Sequence, residues 1–431
     1  MRRRATRISA WVAAWFVLAG AASAADEPAP SPLAEAVVQK LAGLPADALS
    51  DGVTIDADGH HIAWTCHWKP EQDKVVHLLR DGRPEPPLGW GGVQVWFSPD
   101  GKRMAYAATR GHPVLVVDGA VMPTRRDIRA FAFSPDSRRV AVIEAGVSVW
   151  FDATLVAKGD GFDRLVFSPD SKHAAWVEGP AALRDVMIDG RRGPFFRQVL
   201  GPVFMPSSKS FIYPAQAKVK WSVVGWTEDA GAWEEMGDVV LSTDGSRIAF
   251  RARSANRWAV VSGKPGPGFD EVSDPVFSLD GSRLAYRARE ANAWYLVRDG
   301  KKGPGYVAVG NPVFSPDASH VAFTASADGK DLLVSDGREI PLDGPIDWFA
   351  FSPDSKHFAA LARAGESMRM SLDGRLAPVH QQILVPSRWD TVPGKARYVA
   401  IDKNDASLVE VDWPKDRTWE DAFKPPPPPA K

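Results

Sequence analysis

Short stretches of alternating apolar and polar residues, separated by turn-forming residues, run along most of the chain and predict β-strands. One recurrent stretch carries a small residue in the middle, usually with a bulky residue on either side. It begins, in successive copies, at Arg103 (RMAY), Arg139 (RVAV), His173 (HAAW), Arg247 (RIAF), Arg283 (RLAY), His320 (HVAF) and His357 (HFAA). A second type of strand, such as Trp294-Tyr-Leu-Val-Arg-Asp, precedes a turn. The pattern predicts an all-β protein.

The string Phe-Ser-Pro-Asp divides the chain into repeats. It occurs at residues 97–100, 133–136, 167–170, 314–317 and 351–354, with variants at 241–244 (LSTD) and 277–280 (FSLD). A degraded copy occupies 204–208 (FMPSS), and weaker copies lie near Asp58 and near Pro393-Gly394. Successive copies are 34–42 residues apart, a period typical of a four-stranded propeller blade.

A second turn, usually Asp-Gly, follows about half a period later, as at Asp299-Gly300. The interval leaves room for two strands and a loop, so each repeat is predicted to hold four strands. An alanine recurs at one strand position, at Ala105, Ala141, Ala175, Ala249, Ala285, Ala322 and Ala359. We interpret it as a crowded site where neighbouring blades pack face to face. Proline and aspartate suit the turn itself, so the Phe-Ser-Pro-Asp motif is interpreted as structural.

At these residues the chain resembles the TolB-like family of WD-repeat-like propellers. Residues 97–106, Phe-Ser-Pro-Asp-Gly-Lys-Arg-Met-Ala-Tyr, carry the resemblance, and residues 294–306 carry a second phrase of the same kind. The resemblance implies a β-propeller. The number of repeats predicts about nine to ten four-stranded antiparallel blades, as one large ring or as two rings of about five. The resemblance is specific for fold and carries little about function, because propellers serve as adaptors, ligand binders and enzyme scaffolds.

The two ends differ from the repeats. Residues 1–24 combine arginines, an apolar stretch and Ala22-Ser23-Ala24, which predicts a cleaved signal peptide and an exported, periplasmic or extracellular protein. The apolar stretch is short of the ~20 residues that span a membrane. Residues 25–50 are a Pro/Ala-rich lead with a short helical pattern at Leu33–Leu41, residues 51–414 are the propeller repeats, and residues 415–431 are a proline-rich tail predicted to be disordered.

Composition narrows the range of partners. The formal net charge is -1, so no global basic field indicates nucleic acid. Cys66 is the only cysteine, which excludes an internal disulfide. No segment after the signal is long and apolar enough to predict a membrane span.

Catalytic and metal-binding signatures are missing from the sequence: there is no G-x-S-x-G, Walker, H-E-x-x-H or C-x-x-C motif. The segment His60-His61-Ile-Ala-Trp-Thr-Cys66-His67 is the richest in potential ligands, but its same-face pairs are about 20 Å apart along a strand. We therefore predict no metal site, no cofactor and no catalytic residues, and an enzyme is the less favoured interpretation.

Two residue sets are candidates for binding. Eight residues share one position after the turn, so in a ring they would form a circle that binds anions or an acidic partner, or else pair with local acids: His61, Arg103, Arg139, His173, Arg247, Arg283, His320 and His357. Five tryptophans lie near loops, where they would form an aromatic binding surface or wedge between blades: Trp90, Trp226, Trp233, Trp348 and Trp389.

These observations favour an exported, non-catalytic propeller that binds a protein or a cell-envelope component through one face. The alternative is an enzyme or small-ligand receptor with a site in the central channel, for which groups from different blades would have to converge. A purely architectural role is a third interpretation.

Overall fold

The computed structural model describes residues 33–418, apart from positions 42, 46–47, 69–75, 86–92, 110–111, 125, 146, 227, 229, 342–344, 391 and 417. All regular structure in these residues is β-strand. The predicted signal peptide and nearly all of the proline-rich tail lie outside the described residues. The part of the chain that is described contains no helix that could cross a membrane.

The strands form ten antiparallel sheets, called blades 1 to 10 in chain order, and the first strand is β1 (Glu35–Lys40). Blade 1 contains β2 (Ala48–Ile55), β3 (Ile62–Trp68), β4 (Val76–Arg80) and β5 (Arg83–Pro84). Blade 2 contains β6 (Gln94–Phe97), β7 (Met104–Thr109), β8 (Pro113–Val117) and β9 (Ala120–Val121). Blade 3 contains β10 (Ile128–Phe133), β11 (Val140–Glu144), β12 (Ser148–Phe151) and β13 (Thr154–Lys158). Blade 4 contains β14 (Asp163–Phe167), β15 (Ala174–Glu178), β16 (Asp185–Ile188) and β17 (Arg191–Arg192). Blade 5 contains β18 (Gln198–Val199), β19 (Val203–Phe204), β20 (Phe211–Ala217) and β21 (Lys220–Val224). Blade 6 contains β22 (Glu235–Met236), β23 (Val240–Leu241), β24 (Ile248–Ser254), β25 (Arg257–Ser262) and β26 (Lys264–Pro265).

Blade 7 contains β27 (Glu271–Val272), β28 (Val276–Phe277), β29 (Leu284–Glu290), β30 (Ala293–Arg298) and β31 (Lys301–Tyr306). Blade 8 contains β32 (Ala308–Val309), β33 (Val313–Phe314), β34 (Val321–Ala327), β35 (Lys330–Ser335) and β36 (Arg338–Pro341). Blade 9 contains β37 (Ile346–Phe351), β38 (Phe358–Ala364), β39 (Ser367–Leu372) and β40 (Arg375–His380). Blade 10 contains β41 (Gln382–Leu384), β42 (Lys395–Asp402) and β43 (Asp405–Asp412), together with β1.

Each blade has four strand positions, called a to d from the centre of the ring outwards. In blades 5 to 8, position a is divided into two short strands that pair with the same strand b, as β27 and β28 pair with β29. Among the residues that the structure describes, position d of blade 5 is reduced to a single pair between Trp221 and Trp233. This reduction follows from the loss of the second turn motif in the degraded repeat.

The blades form one closed ring. Ten buried apolar clusters in the described residues each join two consecutive blades, including one between blades 5 and 6 (Ile212 with Phe250) and one between blades 10 and 1 (Leu408 with Trp64). Two rings of five would instead join blade 5 to blade 1 and blade 10 to blade 6. The fold is therefore a ten-bladed β-propeller in a single ring, one of the two arrangements that the sequence left open.

The amino-terminal segment closes the ring. The helix predicted over Leu33–Leu41 is wrong: residues 35–40 form β1, which pairs antiparallel with β43 as the outer strand of blade 10. Val37 lies opposite Val409 in this ladder. The spacing of the apolar residues fits one face of a helix, but β-branched valines also suit a strand, and pairing with an open sheet edge decides between the two.

The recurrent alanine is the crowded contact between blades, as predicted. All seven of these alanines are 0% exposed. Ala285 belongs to the cluster between blades 7 and 8, while its bulky neighbours Leu284 and Tyr286 face the preceding blade, between blades 6 and 7. Strand b thus sends successive side chains to opposite faces, and the small one allows close approach of the next blade.

An aromatic pair links consecutive blades 4 to 8. An aromatic residue on the outer edge of one blade packs edge-on against one in strand b of the next blade: Phe196 with Tyr213, Trp233 with Phe250, Phe269 with Tyr286, and Tyr306 with Phe323. The ring centroids are 5.9–6.4 Å apart and the planes are nearly perpendicular, a favoured geometry for aromatic contacts. These pairs recur with the repeat.

Candidate functional site

The order of the strands separates two faces of the ring. The a–b turns, which carry the Phe-Ser-Pro-Asp motif, and the c–d turns lie at one end of every blade, which we call the turn face. The b–c and d–a connections lie at the other end, the loop face. This follows from the antiparallel pairing of a, b, c and d within each sheet.

The aspartate of the a–b turn is held by a fixed set of hydrogen bonds. In blade 2 the Ser98 hydroxyl donates to Asp100 Oδ1 at 2.6 Å and accepts the backbone N–H of Arg103 at 3.0 Å, while the Lys102 N–H donates to the same carboxylate at 3.1 Å. The bond from Ser98 is the main cause that lowers the pKa of Asp100. The Ser–Asp bond recurs in seven blades. The motif stabilises the turn, as the sequence predicts.

The eight residues of the predicted circle lie beside these turns, at the start of strand b. Seven of them pair with the aspartate of their own c–d turn: His61–Asp81 (2.8 Å), Arg103–Asp118 (2.7 Å), Arg139–Asp152 (2.9 Å), His173–Asp189 (2.6 Å), Arg283–Asp299 (2.9 Å), His320–Asp336 (2.6 Å) and His357–Asp373 (2.7 Å). In each of these turns the other carboxylate oxygen accepts a backbone N–H of strand b, as Asp373 does from Phe358 at 2.8 Å. The geometry thus follows the local-pairing alternative at these seven positions.

Arg247 of blade 6 is the exception. Its c–d turn carries Ser262 in place of the aspartate, and Nη2 of Arg247 lies 3.5 Å from the Ser262 hydroxyl. Arg247 forms no ion pair with an acidic side chain of the described residues. Its Nη1 donates to the carbonyls of Gly281 and Ser282 in the next blade at 2.7 and 3.0 Å, and its guanidinium lies 5.1 Å from the Phe277 ring. The side chain is therefore fixed in position while its charge lacks a carboxylate partner.

Of the five predicted surface tryptophans, Trp90 lies outside the described residues. Trp389 is only 6% exposed, and its ring centroid lies 5.0 Å from that of Trp348 and 5.9 Å from that of Trp413, within the core between blades 9 and 10. Trp348 and Trp389 therefore follow the alternative in which the rings wedge between blades, here blades 9 and 10.

The other two predicted tryptophans lie between blades 5 and 6. Trp226 and Trp233 are half-buried against the apolar cluster there, and Trp233 Nε1 donates to the Ala230 carbonyl at 2.8 Å. They compensate for the missing fourth strand of blade 5. The wedge alternative of the sequence interpretation therefore describes these side chains as well.

Two arginine–tryptophan clusters on the loop face were not predicted. In blade 6 the Trp258 ring lies within 5.3 and 5.8 Å of the guanidinium groups of Arg251 and Arg253. In blade 7 the Trp294 ring lies within 5.7 and 5.9 Å of those of Arg287 and Arg289. The sequence does contain a repeated pattern for these clusters. In both copies Arg-Ala-Arg is followed, five residues after its second arginine, by a tryptophan, and the two copies are 36 residues apart.

These arginines also contact acidic or carbonyl oxygens of the described residues. The contacts are Arg251 with Asp274 (2.8 Å), Arg253 with Glu235, Arg289 with Glu271 (3.0 Å) and Arg287 with the Val309 carbonyl (3.0 Å). Both tryptophans are half-buried, and the three ion-paired arginines are 35–43% exposed at the side chain. The clusters thus present ordered, partly exposed rings and guanidinium groups on two adjacent blades.

The side chains of the histidine- and cysteine-rich segment of blade 1, residues 60–67, do not converge on one site. His61 bonds to Asp81 at 2.8 Å, and His67 to Asp51 at 3.0 Å. Cys66 is fully buried, and burial followed by the charge of Asp51 raises its thiol pKa to about 11. In the described ranges no group of three or more His, Cys, Asp or Glu side chains is arranged to hold a metal ion.

No protein-family model matches the sequence, and none of the curated proteins does. Three solved structures of low sequence identity are similar to this chain. A eukaryotic initiation factor has 10% identity, a TM-score of 0.46 and coverage of 78% of this chain and 91% of its own. The Swd1 propeller domain of Myceliophteria thermophila has 12% identity and a TM-score of 0.30, and the match covers 55% of this chain and 93% of that domain. Oligogalacturonate lyase from Vibrio parahaemolyticus has 10% identity and a TM-score of 0.33, and the match covers 67% of this chain and 97% of the lyase. These identities are too low to transfer a function to this chain.

Proposed function

We propose that this protein is an exported binding module, built from TolB-like repeats, that recognises a partner protein through the loop face of blades 6 and 7. The observation that carries the proposal is the pair of arginine–tryptophan clusters at equivalent positions of these two blades. Tryptophan and arginine are the residue types that contribute most often to binding free energy at protein interfaces.

The clusters suit an interface because their side chains are already ordered. Each tryptophan is stacked by two guanidinium groups, so little side-chain entropy would be lost on binding. The paired acids keep the surface nearly neutral. Such a surface favours a partner that buries the rings and hydrogen-bonds to the guanidinium edges, over one attracted by charge alone.

Export is the second part of the proposal, and it rests on residues 1–24. A positive start, a short apolar stretch and a small-residue cleavage site together are typical of a secretory signal. Cleavage after Ala24 would give a mature chain beginning at Ala25. Amino-terminal sequencing of the protein recovered from the periplasm tests this part, and an uncleaved chain in the cytoplasm would contradict it.

Site-specific photo-crosslinking tests the interface. A photoreactive residue replaces Asn292, which is exposed beside the blade 7 cluster, or Leu279, which is exposed on the turn face of the same blade. In cells that make the full chain, we expect position 292 to give one discrete protein adduct and position 279 to give none. Adducts of equal yield at both positions would contradict the proposal, as would an adduct that contains lipid or glycan in place of protein.

Arginine variants then test the clusters themselves. The double variant Arg253→Ala with Arg289→Ala should lower the yield of the 292 adduct about tenfold or more, a loss of the size seen for interface hot spots. The matched control is Arg129→Ala with Arg363→Ala. It removes arginines of blades 3 and 9 that form comparable exposed ion pairs, with Asp163 and Asp347. An equal loss in both double variants would show that the effect is not specific to blades 6 and 7.

A further inference from the structure

A groove of about 680 Å³ on the turn face, between blades 6 and 7, has a composition that sets it apart from its equivalents. Its charged lining residues are Arg247, Lys264, Arg283 and Asp299. Arg283 is neutralised by Asp299 at 2.9 Å. Neither Arg247 nor Lys264 forms an ion pair with an acidic residue of the described chain, so the groove holds two uncompensated positive charges.

The equivalent groove between blades 7 and 8 shows why this is unusual. It is lined by four cations, of which Arg283, Arg298 and Lys302 are each paired with a carboxylate, at 2.9, 2.7 and 2.7 Å. Only Lys301, the counterpart of Lys264, forms no ion pair with an acidic residue of the described chain. The difference comes from one residue. Where seven blades have an aspartate in the c–d turn to neutralise the residue at the start of strand b, blade 6 has Ser262, which is shorter and uncharged.

Arg247 is held in place for an incoming acceptor. Two carbonyls of the next blade and the Phe277 ring fix its guanidinium group. In blades 2 and 3 the Nε atoms of the corresponding arginines donate to the turn aspartate at 2.7 and 2.9 Å. In blade 6 the same edge of the guanidinium group faces the Ser262 hydroxyl, and a planar guanidinium edge is suited to bind two oxygens of one anion.

The same groove also contains a buried hydroxyl without a hydrogen-bond partner in the described part of the chain. Tyr286 lines the same groove, its side chain is 2% exposed, and its hydroxyl has no hydrogen-bond partner among the described residues. Burial raises its pKa to about 12, so the phenol keeps its proton and is a donor at neutral pH. A buried donor without an acceptor is costly, and an oxyanion in the groove would accept its hydrogen bond.

We propose that this groove binds a phosphate group, with Arg247 and Lys264 supplying the positive charge and the Tyr286 hydroxyl a hydrogen bond. Two uncompensated charges match a phosphate monoester, which carries nearly two negative charges at neutral pH. The groove has room for more than the phosphate alone, so the group belongs to a larger organic molecule, either free or in a lipid headgroup. The site lies on the face opposite the arginine–tryptophan clusters and does not depend on them.

Calorimetric titration of the mature chain tests the site with three probes: inorganic phosphate, glycerol 3-phosphate, and vesicles that contain phosphatidic acid. We expect saturable binding of at least one probe, and acetate to bind at least tenfold more weakly. Binding of the soluble probes would identify a free ligand, and binding of the vesicles alone would identify a lipid headgroup. If no probe binds, the proposal is wrong.

Variants connect the binding to these residues. Ser262→Asp restores the aspartate of the other blades and should weaken binding at least tenfold without lowering thermal stability; Arg247→Gln should do the same if the new aspartate disturbs the turn. Tyr286→Phe should weaken binding about fivefold, the equivalent of one neutral hydrogen bond. The control is Arg103→Gln, because Arg103 is paired with Asp118 and, like Arg247, lies over a phenylalanine of the next blade, Phe133. Binding that survives both Ser262→Asp and Arg247→Gln, or that falls equally in Arg103→Gln, would overturn the assignment.

Discussion

His380 of blade 9 joins Glu35 of the ring-closing strand β1, with its Nε2 atom 3.0 Å from Glu35 Oε1. Its Nδ1 atom lies 2.6 Å from Asp402 Oδ2 in blade 10. The imidazole therefore links the amino-terminal strand, the last residue of β40 and the end of β42. It lies where the two ends of the chain meet in the ring.

The first prediction concerns the pH dependence of this link. Burial alone would lower the pKa of His380, but the bonds to Asp402 and Glu35 outweigh burial and raise the pKa above its ordinary value of 6.5. Because the folded-state pKa is the higher one, the stabilisation is complete below pH 6.5 and is lost as the pH rises through the raised value. The difference in unfolding midpoint between the wild type and His380→Ala should therefore be largest near pH 5.5 and should shrink towards pH 8.5. A difference that does not change with pH would contradict this.

The second prediction concerns acid stability. In Asp317 the effect of burial is outweighed by bonds from Ser315 and Ser319, which lower its pKa to about 2, and bonds from Ser242 and Ser246 lower that of Asp244 to about 2. For a lowered pKa the stabilisation is present above the ordinary value of 3.8 and is lost as the pH falls towards 2. Urea titrations should show Asp317→Asn to be less stable than the wild type at pH 6, with most of the difference gone at pH 2.

The exposed substitution Asp331→Asn is the control for this acid series, and it should leave the midpoint unchanged at both pH values. A stability gap that is as large at pH 2 as at pH 6 would show that the turn aspartate does not act through its charge.

The third prediction concerns the aromatic pairs between blades. Phe269 is 2% exposed and packs edge-on against Tyr286, so Phe269→Ala should cost about 3–5 kcal/mol of unfolding free energy. Phe195, of the same residue type but 49% exposed, provides the control, and Phe195→Ala should change stability by less than about 0.5 kcal/mol. Chemical denaturation followed by tryptophan fluorescence measures both. Similar losses in the two variants would show that the buried pairs do not hold the blades together.

The fourth prediction concerns the spacing of the blades. Ala285 and Ile212 occupy the same register position, opposite Val276 in blade 7 and Val203 in blade 5. Because the interface beyond Ala285 is close, Ala285→Leu should destabilise by about 1–3 kcal/mol through overpacking. Ile212→Ala should destabilise by about 2–5 kcal/mol through a cavity. The exposed Ala308→Leu should have little effect, and a neutral Ala285→Leu in the same denaturation assay would contradict close blade contact.

The repeat itself could be predicted from the sequence because its causes are local. The Ser–Asp bonds of the a–b turn and the alternation around Ala285 depend on residues close together in the chain, so each copy shows them. Strand β1 could not be predicted, because its partner β43 lies hundreds of residues away and only the open edge of blade 10 makes a strand of it.

The candidate sites likewise include features that the sequence predicts and features that only the structure shows. The pairing of seven circle residues with local acids was one of two open alternatives, and only the distances decide between them. Trp389 shows the limit of judging exposure from a loop position, because contact with Trp348 buries it. Ser262 was visible as a departure from Asp-Gly, but its meaning depends on knowing that the equivalent aspartates neutralise the residue at the start of strand b.

The most direct test of the central claim, a single ten-bladed ring closed by the amino-terminal strand, is a disulfide trap between β1 and β43. Ala36→Cys and Glu410→Cys are introduced together into the Cys66→Ser chain, since these residues are paired in register, and Ser326→Cys with Asp331→Cys within blade 8 is the positive control. After mild oxidation, peptide mass spectrometry should find the 36–410 crosslink in the monomer with a yield close to that of 326–331. A chain that forms the 326–331 crosslink but not the 36–410 crosslink would contradict the closed ring.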